Sequence, residues 1–246
     1  MLGIVGGSAF LHGHVLDGCT PQRVVTPRGD VMLHVGNGFA FLRRHGETGY
    51  TAPHRIPHHA HVLALESVGA RHVVGFASTG SLHRALRPGA VLVPDDYVSL
   101  HPPPTLAGDG YLHIVPMLDP ALRELLAEAA EAAGAEELRR GGIYVQTHGP
   151  RFETPAEVRM IANWGDVVGM TAASEATLFQ ERGMAYATLC IVDNYANGVA
   201  GTALTLDSFQ AQLAAGATLA RRIVDEVLRL WREQQPLPQP DGGSAP

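Results

Sequence analysis

The chain has 246 residues, of which 46% are hydrophobic, and a formal net charge of -6. This length and composition suffice for one domain with a large buried core. The acidic balance, without any cluster of Lys and Arg, argues against binding of a nucleic-acid backbone. No segment reaches the roughly 18 unbroken apolar residues of a membrane span, and the first residues lack the basic start of a signal peptide. Two cysteines without CxxC spacing, Cys19 and Cys190, do not form a disulfide framework, so we expect a cytoplasmic protein.

Short apolar runs alternate with helical patterns along the chain. The runs are mostly β-branched or apolar, which is typical of strands covered on both faces of a sheet. The predicted strands are Leu2 to Val5, Phe39 to Leu42, His72 to Ala77, Ala90 to Val93, Ile143 to Thr147, Val167 to Gly169 and Tyr186 to Val192. Helical periodicity covers Ala121 to Ala133 and Ser208 to Trp231, and Pro155 fits a first helical turn. We predict a single α/β domain, residues 1–233, with helices around a central sheet, followed by a flexible tail, residues 234–246.

Three of the predicted strands end in turns that are able to bind an anion. Gly6-Gly7-Ser8 follows the first strand, where glycines let N–H groups and the serine hydroxyl converge. Arg43, Arg44 and His45 follow the second strand, and Ala77-Ser78-Thr79-Gly80 ends the third. Alone, the Gly-Gly-Ser turn is more often only a tight turn, and the arginine turn is also compatible with a surface salt-bridge cluster. Because ligands collect beyond the carboxyl ends of strands in open α/β sheets, the three together predict one anion site.

Six motifs in chain order carry a resemblance to a known family. They are GGSAF from Gly6, RRHGE from Arg43, FASTGSL from Phe76, THGPRFET from Thr147, VVGMTAASE from Val167 and IVDNYANG ending at Gly198. Along nearly its whole length the sequence resembles the purine nucleoside phosphorylase and methylthioadenosine phosphorylase family. The resemblance implies the nucleoside phosphorylase fold with a mixed central sheet, and a homotrimer or a hexamer built from trimers. It also implies phosphorolysis without metal or organic cofactor, with inorganic phosphate as co-substrate.

The resemblance implies a phosphate site made of hydroxyls, a guanidinium, an imidazole and turn amides. Such donors bind a phosphate nucleophile and orient it beneath the anomeric carbon. A nucleosidase that activates water with a carboxylate does not need them. The implied phosphate ligands are Ser8, Arg44, His45, Ala77, Ser78 and Thr171, and His45 is also a predicted catalytic residue.

The resemblance further implies that Phe152 stacks on a purine, with Glu153 and Asn194 as catalytic contacts to the base. An ionised Glu153 accepts a hydrogen bond from N1–H of a 6-oxopurine and repels the N1 acceptor of adenine. The amide of Asn194 suits O6 and a protonating N7. A one-residue shift in the turn would bring Asp193 to the base instead, and Ala196 lies in the same turn.

The remaining implied residues surround the sugar. Met170 packs on the ribose, or is a core methionine at a strand end. Glu175 either binds within the ribose site or caps the helix that begins there. Leu206 and Phe209 are implied neighbours of the 5' substituent, where they would bury a methylthio group, and are equally compatible with ordinary core contacts. His113 is implied to reach in from a neighbouring subunit.

Four histidines, His54, His58, His59 and His61, lie close together in APHRIPHHAH. No matching carboxylate or cysteine spacing accompanies them, and a helix N-terminus near the phosphate site explains them as well. Relatives often carry a polar Asn-Tyr pair in this segment. We predict no metal site here.

Three functions remain in play. Glu153 and Asn194 favour phosphorolysis of 6-oxopurine nucleosides, namely inosine, guanosine or 5'-methylthioinosine, to the free base and a ribose 1-phosphate-type sugar. Phosphorolysis of methylthioadenosine is the first alternative. A nucleoside-binding protein that has lost turnover is the second, and the joint presence of anion turns and base-recognition residues argues against it.

Overall fold

The structure is a computed structural model that describes residues 1–11, 18–108, 113–201 and 206–234, with the backbone alone for residues 206–215. Within these ranges, eleven strands form one sheet and five α-helices surround it. The strands are β1 (Leu2–Gly6), β2 (Thr20–Thr26), β3 (Gly29–Gly36), β4 (Phe39–Arg43), β5 (His72–Ser81), β6 (Val91–Val93), β7 (Asp96–Ser99), β8 (Leu138–Arg140), β9 (Ile143–Gln146), β10 (Val167–Gly169) and β11 (Ala185–Tyr195). The helices are α1 (His58–Ser67), α2 (Pro120–Ala132), α3 (Pro155–Ile161), α4 (Ala172–Glu181) and α5 (Leu206–Gln234).

The sheet is mixed and branched. Its main path runs β2-β3-β4-β1-β5-β10-β9-β7, while β11 joins β5 to β6, and β6 joins β8. Strands β4, β1, β5 and β11 are parallel to one another, whereas β10 runs antiparallel to β5. The predicted α/β fold with a mixed central sheet flanked by helices is therefore confirmed.

Strand β5 is shared unequally between its neighbours. Along one edge β11 pairs with it from His72 to Ser81. On the main path, β1 pairs with the stretch from His72 to Gly75, and β10 pairs with Gly80 and Ser81 from the opposite direction. Residues 76–79 lie between these two ladders. The ends of β1 and β10 therefore point toward each other across a gap beside the middle of β5.

Both faces of the sheet are covered by helices. In β1, Leu2 and Ile4 belong to the apolar cluster that contains α2 and α5. Val5 belongs to a different cluster, which contains residues of α1 and α4. Since alternate residues of a strand point to opposite faces, a strand covered on both sides needs apolar residues throughout.

The predicted strands each overlap an observed strand, and the two predicted helices overlap α2 and α5. Pro155 begins α3, where Thr154 and Glu157 form a capping box. In the described structure, Cys19 and Cys190 do not form a disulfide. No helix in the described ranges is long and apolar enough to cross a membrane. Residues 235–246 of the predicted tail lie outside the described residues.

Candidate active site

Arg44 lies at the floor of the gap beside β5. It directly follows β4, and its amide donates to the carbonyl of Gly6 at the end of β1, at 2.9 Å. The guanidinium is 1% exposed and donates from Nη1 to the carbonyl of Phe76 at 2.7 Å. Gly7 permits this approach, because a Cβ there would lie 2.4 Å from both Arg44 Nη1 and Phe76 O. The glycine turn after β1 thus makes room for the guanidinium.

Glu175 of α4 holds Arg44 in this position. Its carboxylate accepts a hydrogen bond from Arg44 Nε and another from Nη2 at 2.9 Å, and the Tyr186 hydroxyl donates to it at 2.7 Å. Burial alone would raise the pKa of Glu175, but the charge and hydrogen bonds of Arg44 hold the pKa below its usual value. The carboxylate therefore supports Arg44, which differs from the ribose contact and the helix cap considered from the sequence.

His45 contributes a neutral imidazole beside the gap. Its Nδ1 lies 2.8 Å from the carbonyl of Thr51, which only accepts, so Nδ1 carries the proton and Nε2 is the acceptor of the neutral ring. The hydroxyl of Ser8 lies 3.3 Å from Nε2, and Tyr50 stacks on the ring with centroids 4.8 Å apart. Burial lowers the pKa of His45 to about 4, so the ring is uncharged near neutral pH.

The start of α4 meets the gap from the side of β10. Thr171 is the N-cap residue of α4, yet its side chain makes no capping hydrogen bond. The first amides of α4 bond instead to two side chains of β9: Tyr144 accepts from residues 171 and 172 at 3.1 and 3.3 Å, and Gln146 accepts from residues 173 and 174 at 2.8 and 3.1 Å. What this helix start offers an anion is therefore the Thr171 hydroxyl.

Glu153 is the buried carboxylate on the other side of β10. It is 7% exposed, and the hydroxyl of Thr147 donates to its Oε1. The side-chain amide of Asn197 donates from Nδ2 to the backbone carbonyl of Glu153 at 3.2 Å. This contact connects the loop to the turn after β11. The carboxylate is thus held at a defined place although it lies in a loop.

Two apolar side chains lie in the segments around Glu153 and β10. Phe152 is 40% exposed, which leaves its ring accessible for stacking. Met170 is half-buried, and its sulfur would lie 2.6 Å from a Cβ at Gly149, so it packs directly on that backbone. Ala196 is buried and its amide donates to the carbonyl of Ser81 at 2.8 Å.

A β-bulge separates Asp193 from Asn194. The register of β11 against β5 shifts between Val192 and Asn194, so Asn194 pairs with Gly80. Gly80 also pairs with β10, the strand next to the Thr147 and Glu153 loop. Asp193 is bonded to the side chain of Ser78 instead, and its Oδ1 would lie 3.1 Å from a Cβ at position 216 of α5. This separation favours Asn194 as the residue that shares a base with Glu153.

The predicted residues of the 5' end are only partly described. The side chains of Leu206 and Phe209 lie outside the described residues, although both positions belong to α5. His113 is exposed. Their contacts to the sugar stay predictions.

The histidines of the APHRIPHHAH segment diverge in space. His54 lies on the surface near His148, with ring centroids 6.1 Å apart. His58 and His61 point inward, and burial lowers their pKa values to about 4 and about 3. His58 Nδ1 lies 3.9 Å from Glu175 Oε1, behind the Arg44 pair. Across the described parts of the chain, no group of three or more His, Cys, Asp or Glu residues is arranged to hold a metal ion.

The sequence analysis did not single out the residues that support the site. These are polar side chains of apolar strands or their ends, namely Tyr144, Gln146, Thr147 and Tyr186. The signal was available in β9 and the residue after it, because Tyr, Gln and Thr interrupt a strand otherwise buried in an apolar sheet.

From the buried pair of Arg44 and Glu175 we predict how substitutions change the free energy of unfolding. Replacing one partner, as in Arg44→Met or Glu175→Gln, leaves the other charge buried and should lower the free energy of unfolding by about 3 to 5 kcal/mol. The double variant should lose clearly less than the sum of the two single losses. Denaturant unfolding at one fixed protein concentration measures all four proteins.

The surface pair of Arg182 and Glu66 is the matched control, since Arg182 also donates from Nε and Nη2 to the two carboxylate oxygens of its partner, at 3.0 and 2.9 Å. Single variants there should cost about 1 kcal/mol or less. Additive losses at Arg44 and Glu175 would contradict a coupled buried pair.

From the burial of Asp193 we predict that the thermal stability of the protein depends on pH. Burial raises its pKa to about 6, an effect that the hydrogen bond from Ser78 only partly offsets, and its Oδ2 is buried without a partner in the described structure. Because the folded pKa lies above the unfolded one, this group's contribution to stability is full below about pH 4 and is lost as pH rises through about 6. Asp193→Asn should therefore raise Tm relative to the parent progressively from pH 4 to pH 8.

The loss avoided by Asp193→Asn is at most about 3 kcal/mol, from a shift of about two pKa units. Asp30→Asn serves as the control, because Asp30 lies on the surface and pairs with Arg23. The test is to measure Tm of the parent, Asp193→Asn and Asp30→Asn by thermal unfolding at several pH values. A Tm difference for Asp193→Asn that is the same at every pH would show that Asp193 does not titrate as stated.

Comparison with known proteins agrees with this geometry. Residues 20–229 match the family model described as "Phosphorylase superfamily". The chain is 36% identical over 239 residues to the "Probable 6-oxopurine nucleoside phosphorylase" of Archaeoglobus fulgidus, covering 95% of this chain and 98% of that relative. It is 32% identical to the "Probable S-methyl-5'-thioinosine phosphorylase" of Methanocaldococcus jannaschii, with 93% and 92% covered.

Among solved structures, the methylthioadenosine phosphorylase of Schistosoma mansoni in complex with adenine superposes with a TM-score of 0.83. It is 25% identical, and the match covers 95% of this chain and 92% of that one. The family match spans far more than half of the chain, and the relatives are matched over almost their whole length. The protein therefore belongs to the phosphorylase superfamily.

Proposed function

We propose that the protein cleaves the N-glycosidic bond of 6-oxopurine nucleosides with inorganic phosphate, releasing the free base and a ribose 1-phosphate-type sugar. One observation supports the proposal: the buried guanidinium of Arg44 is held at the gap beside β5, and Ser8, His45 and Thr171 follow the strands that end around this gap. A buried carboxylate, that of Glu153, lies in the loop that follows β9, the other neighbour of β10. The first group suits a phosphate dianion, and the second suits a base that presents an N–H.

The phosphate half of the proposal rests on Arg44 and its neighbours. The contacts of Arg44 to Glu175 and Phe76 use three of the five N–H bonds of a guanidinium, so two remain for an anion. The hydroxyls of Ser8 and Thr171 add further donors. A hydrogen phosphate ion also carries one hydroxyl, which the acceptor Nε2 of neutral His45 can bind. The backbone at Ala77 and Ser78 pairs with β11 along one edge of β5 and lies between the ladders to β1 and β10 along the other, and it completes the proposed set.

The base half of the proposal rests on Glu153 and Asn194. The Thr147 hydroxyl occupies Oε1 of Glu153, and Oε2 remains for a donor on the substrate. N1–H of hypoxanthine or guanine is such a donor, whereas N1 of adenine is an acceptor that a carboxylate repels. Phe152, with its accessible ring, supplies the stacking surface, and Met170 is the proposed contact to the ribose.

The proposed reaction follows from where charge develops. As the bond from C1' to N9 lengthens, the sugar becomes positive and is stabilised by the bound phosphate, while the leaving purine becomes negative. Asn194 then donates to the purine, and a phosphate oxygen forms the new bond to C1' as the bond to N9 breaks. The purine anion takes up a proton to become the free base, and the hydrogen phosphate ion, which loses its proton to become the sugar phosphate dianion, balances it. No covalent enzyme intermediate and no organic or metal cofactor enters this scheme, in which phosphate is a co-substrate.

The names of two relatives support the choice of base and extend the choice of sugar. Both the Archaeoglobus and the Methanocaldococcus proteins are named for 6-oxopurine or thioinosine substrates. We include 5'-methylthioinosine among the proposed substrates together with inosine and guanosine. Leu206 and Phe209 remain the proposed neighbours of the 5' group.

We also propose that the protein works in the cytoplasm as a homotrimer or as a hexamer of trimers. Several large apolar side chains are exposed in the single chain, among them Val115 at 83%, Tyr50 at 57% and Met117 at 51%. An assembly that covers them is consistent with the oligomer implied by the resemblance. His113, close in sequence to two of these residues, would then contribute to the site of a neighbouring subunit.

Phosphate dependence is the direct test of the proposed reaction. Inosine, guanosine, 5'-methylthioinosine, adenosine and methylthioadenosine should be assayed with and without phosphate, and ribose 1-phosphate detected by phosphorus NMR. Thr171→Val removes a hydroxyl that caps nothing, and should raise KM for phosphate about tenfold with less effect on KM for inosine. Cleavage in phosphate-free buffer, at a rate that added phosphate does not change, would overturn the assignment.

Glu153 is the test of the proposed base preference. Glu153→Gln keeps the size of the side chain but removes the charge that accepts N1–H, so kcat/KM for inosine should fall about 100-fold, and that for adenosine much less. Equal losses on both substrates would assign Glu153 a structural role. A parent enzyme that prefers methylthioadenosine over every 6-oxopurine nucleoside would favour the first alternative function.

A further inference from the structure

Thr147 occupies the junction between strand β9 and the loop that carries Glu153. Its amide donates to the carbonyl of Gly169 at 2.9 Å, so its backbone continues the ladder between β9 and β10. Its hydroxyl donates to Oε1 of Glu153 and lies 3.5 Å from the same Gly169 carbonyl. Thr147 therefore connects a rigid strand end to a functional carboxylate in a loop.

The two ends of Glu153 are held by different parts of the fold. Its carbonyl accepts from Asn197 at 3.2 Å, and the next residue, Thr154, is the N-cap of α3. These contacts fix the backbone but leave the carboxyl group free to rotate. A glutamate side chain that is ordered loses rotamer entropy, so a contact has to hold it in place. Within the described residues, the hydrogen bond from Thr147 is the contact that orders the carboxyl group before substrate arrives.

The direction of this hydrogen bond determines whether Glu153 presents an acceptor or a donor to the purine. A threonine hydroxyl has one proton, and when it donates that proton to Oε1, the negative carboxylate presents Oε2 as a pure acceptor. The other available acceptor for that proton is the Gly169 carbonyl, which already accepts the Thr147 amide. The arrangement therefore favours the donor geometry toward Glu153, and with it an oxygen that accepts from the purine.

We propose that Thr147 is a positioning residue that sets base selectivity by aligning Glu153 for a 6-oxopurine. The inference rests on the proposed phosphorolysis of purine nucleosides and deepens it. Thr147 does not contact the substrate in this scheme, so removing its hydroxyl weakens discrimination between bases and leaves the dependence on phosphate intact.

Thr147→Val tests the inference, because valine keeps the shape and β-propensity of threonine without the hydroxyl. We expect kcat/KM for inosine to fall about tenfold while kcat/KM for adenosine stays nearly unchanged. Thr147→Ser restores the hydroxyl and should recover most of the loss. Thr147→Ala is the second variant without a hydroxyl, and Tm of each protein establishes that it is folded.

Two controls separate positioning from general damage. Thr177→Val removes another half-buried threonine hydroxyl, one that donates to the Ala173 carbonyl at 2.9 Å within α4, and should keep the base selectivity of the parent. In the Glu153→Gln background, Thr147→Val should add less than about a threefold loss on inosine, because residues that act through one another are not additive.

The outcomes distinguish the inference from the function on which it rests. If the parent cleaves inosine with phosphate, and folded Thr147→Val or Thr147→Ala has the parent's ratio of inosine to adenosine activity, the inference is wrong and the function stands. Equal losses on both substrates without rescue by Thr147→Ser would also overturn it. If the parent shows no phosphate-dependent cleavage, the proposed function fails first.

Discussion

A single buried guanidinium connects the elements around which the site is built. Arg44 follows β4, donates to the carbonyl of Phe76 in β5 and is held by Glu175 of α4, whose carboxylate also accepts from Tyr186 of β11. Burying such a pair gains little net stability, because desolvation offsets the Coulombic attraction. Its value here lies in geometry: the positive charge is fixed before an anion binds, so little reorganisation is needed when it does. The glycine turn after β1 leaves the space that this guanidinium occupies.

The branching of the sheet explains why an anion site and a base site lie next to each other. Strands β1 and β10 share the same path along β5 but approach from opposite directions, so their carboxyl ends meet at residues 76–79. An all-parallel sheet would place all carboxyl ends at one edge. Here β10 instead delivers Met170 and Thr171 to the middle of the sheet. Its other neighbour, β9, ends at Gln146 and continues into the segment with Thr147 and Glu153. Strand β10 therefore lies between the two proposed halves of the site.

Sequence patterns predicted the central strands because those strands are buried on both faces and are apolar throughout. Strands β2 and β3 escaped this criterion: β2 exposes most of its side chains and reads TPQRVVT, without an apolar run. Strands β7 and β8 also lack an apolar run, since DYVS and LRR contain polar residues and are not fully buried, unlike the equally short β6 and β10. The anion site stays a prediction, and it rested on three turns at strand ends taken together, because each of them alone has an ordinary structural explanation. The role of Glu175 was not predictable, since its partner Arg44 is 131 residues away.

The difference between Asp193 and Asn194 shows where sequence reasoning ends at this site. Neighbouring residues of a regular strand point to opposite sides, but a bulge shifts the register by one residue, and the sequence does not reveal which residue is extra. The pairing of Asn194 with Gly80 puts it beside β10, while Asp193 turns to Ser78 and α5. The sequence is limited in the same way at Thr147. A polar residue at the end of an apolar strand indicates that it has a hydrogen-bond partner, but only the fold identifies that partner as Glu153. In the proposed scheme, base selectivity depends on a contact between residues six positions apart, across a loop that starts where the ladder between β9 and β10 ends.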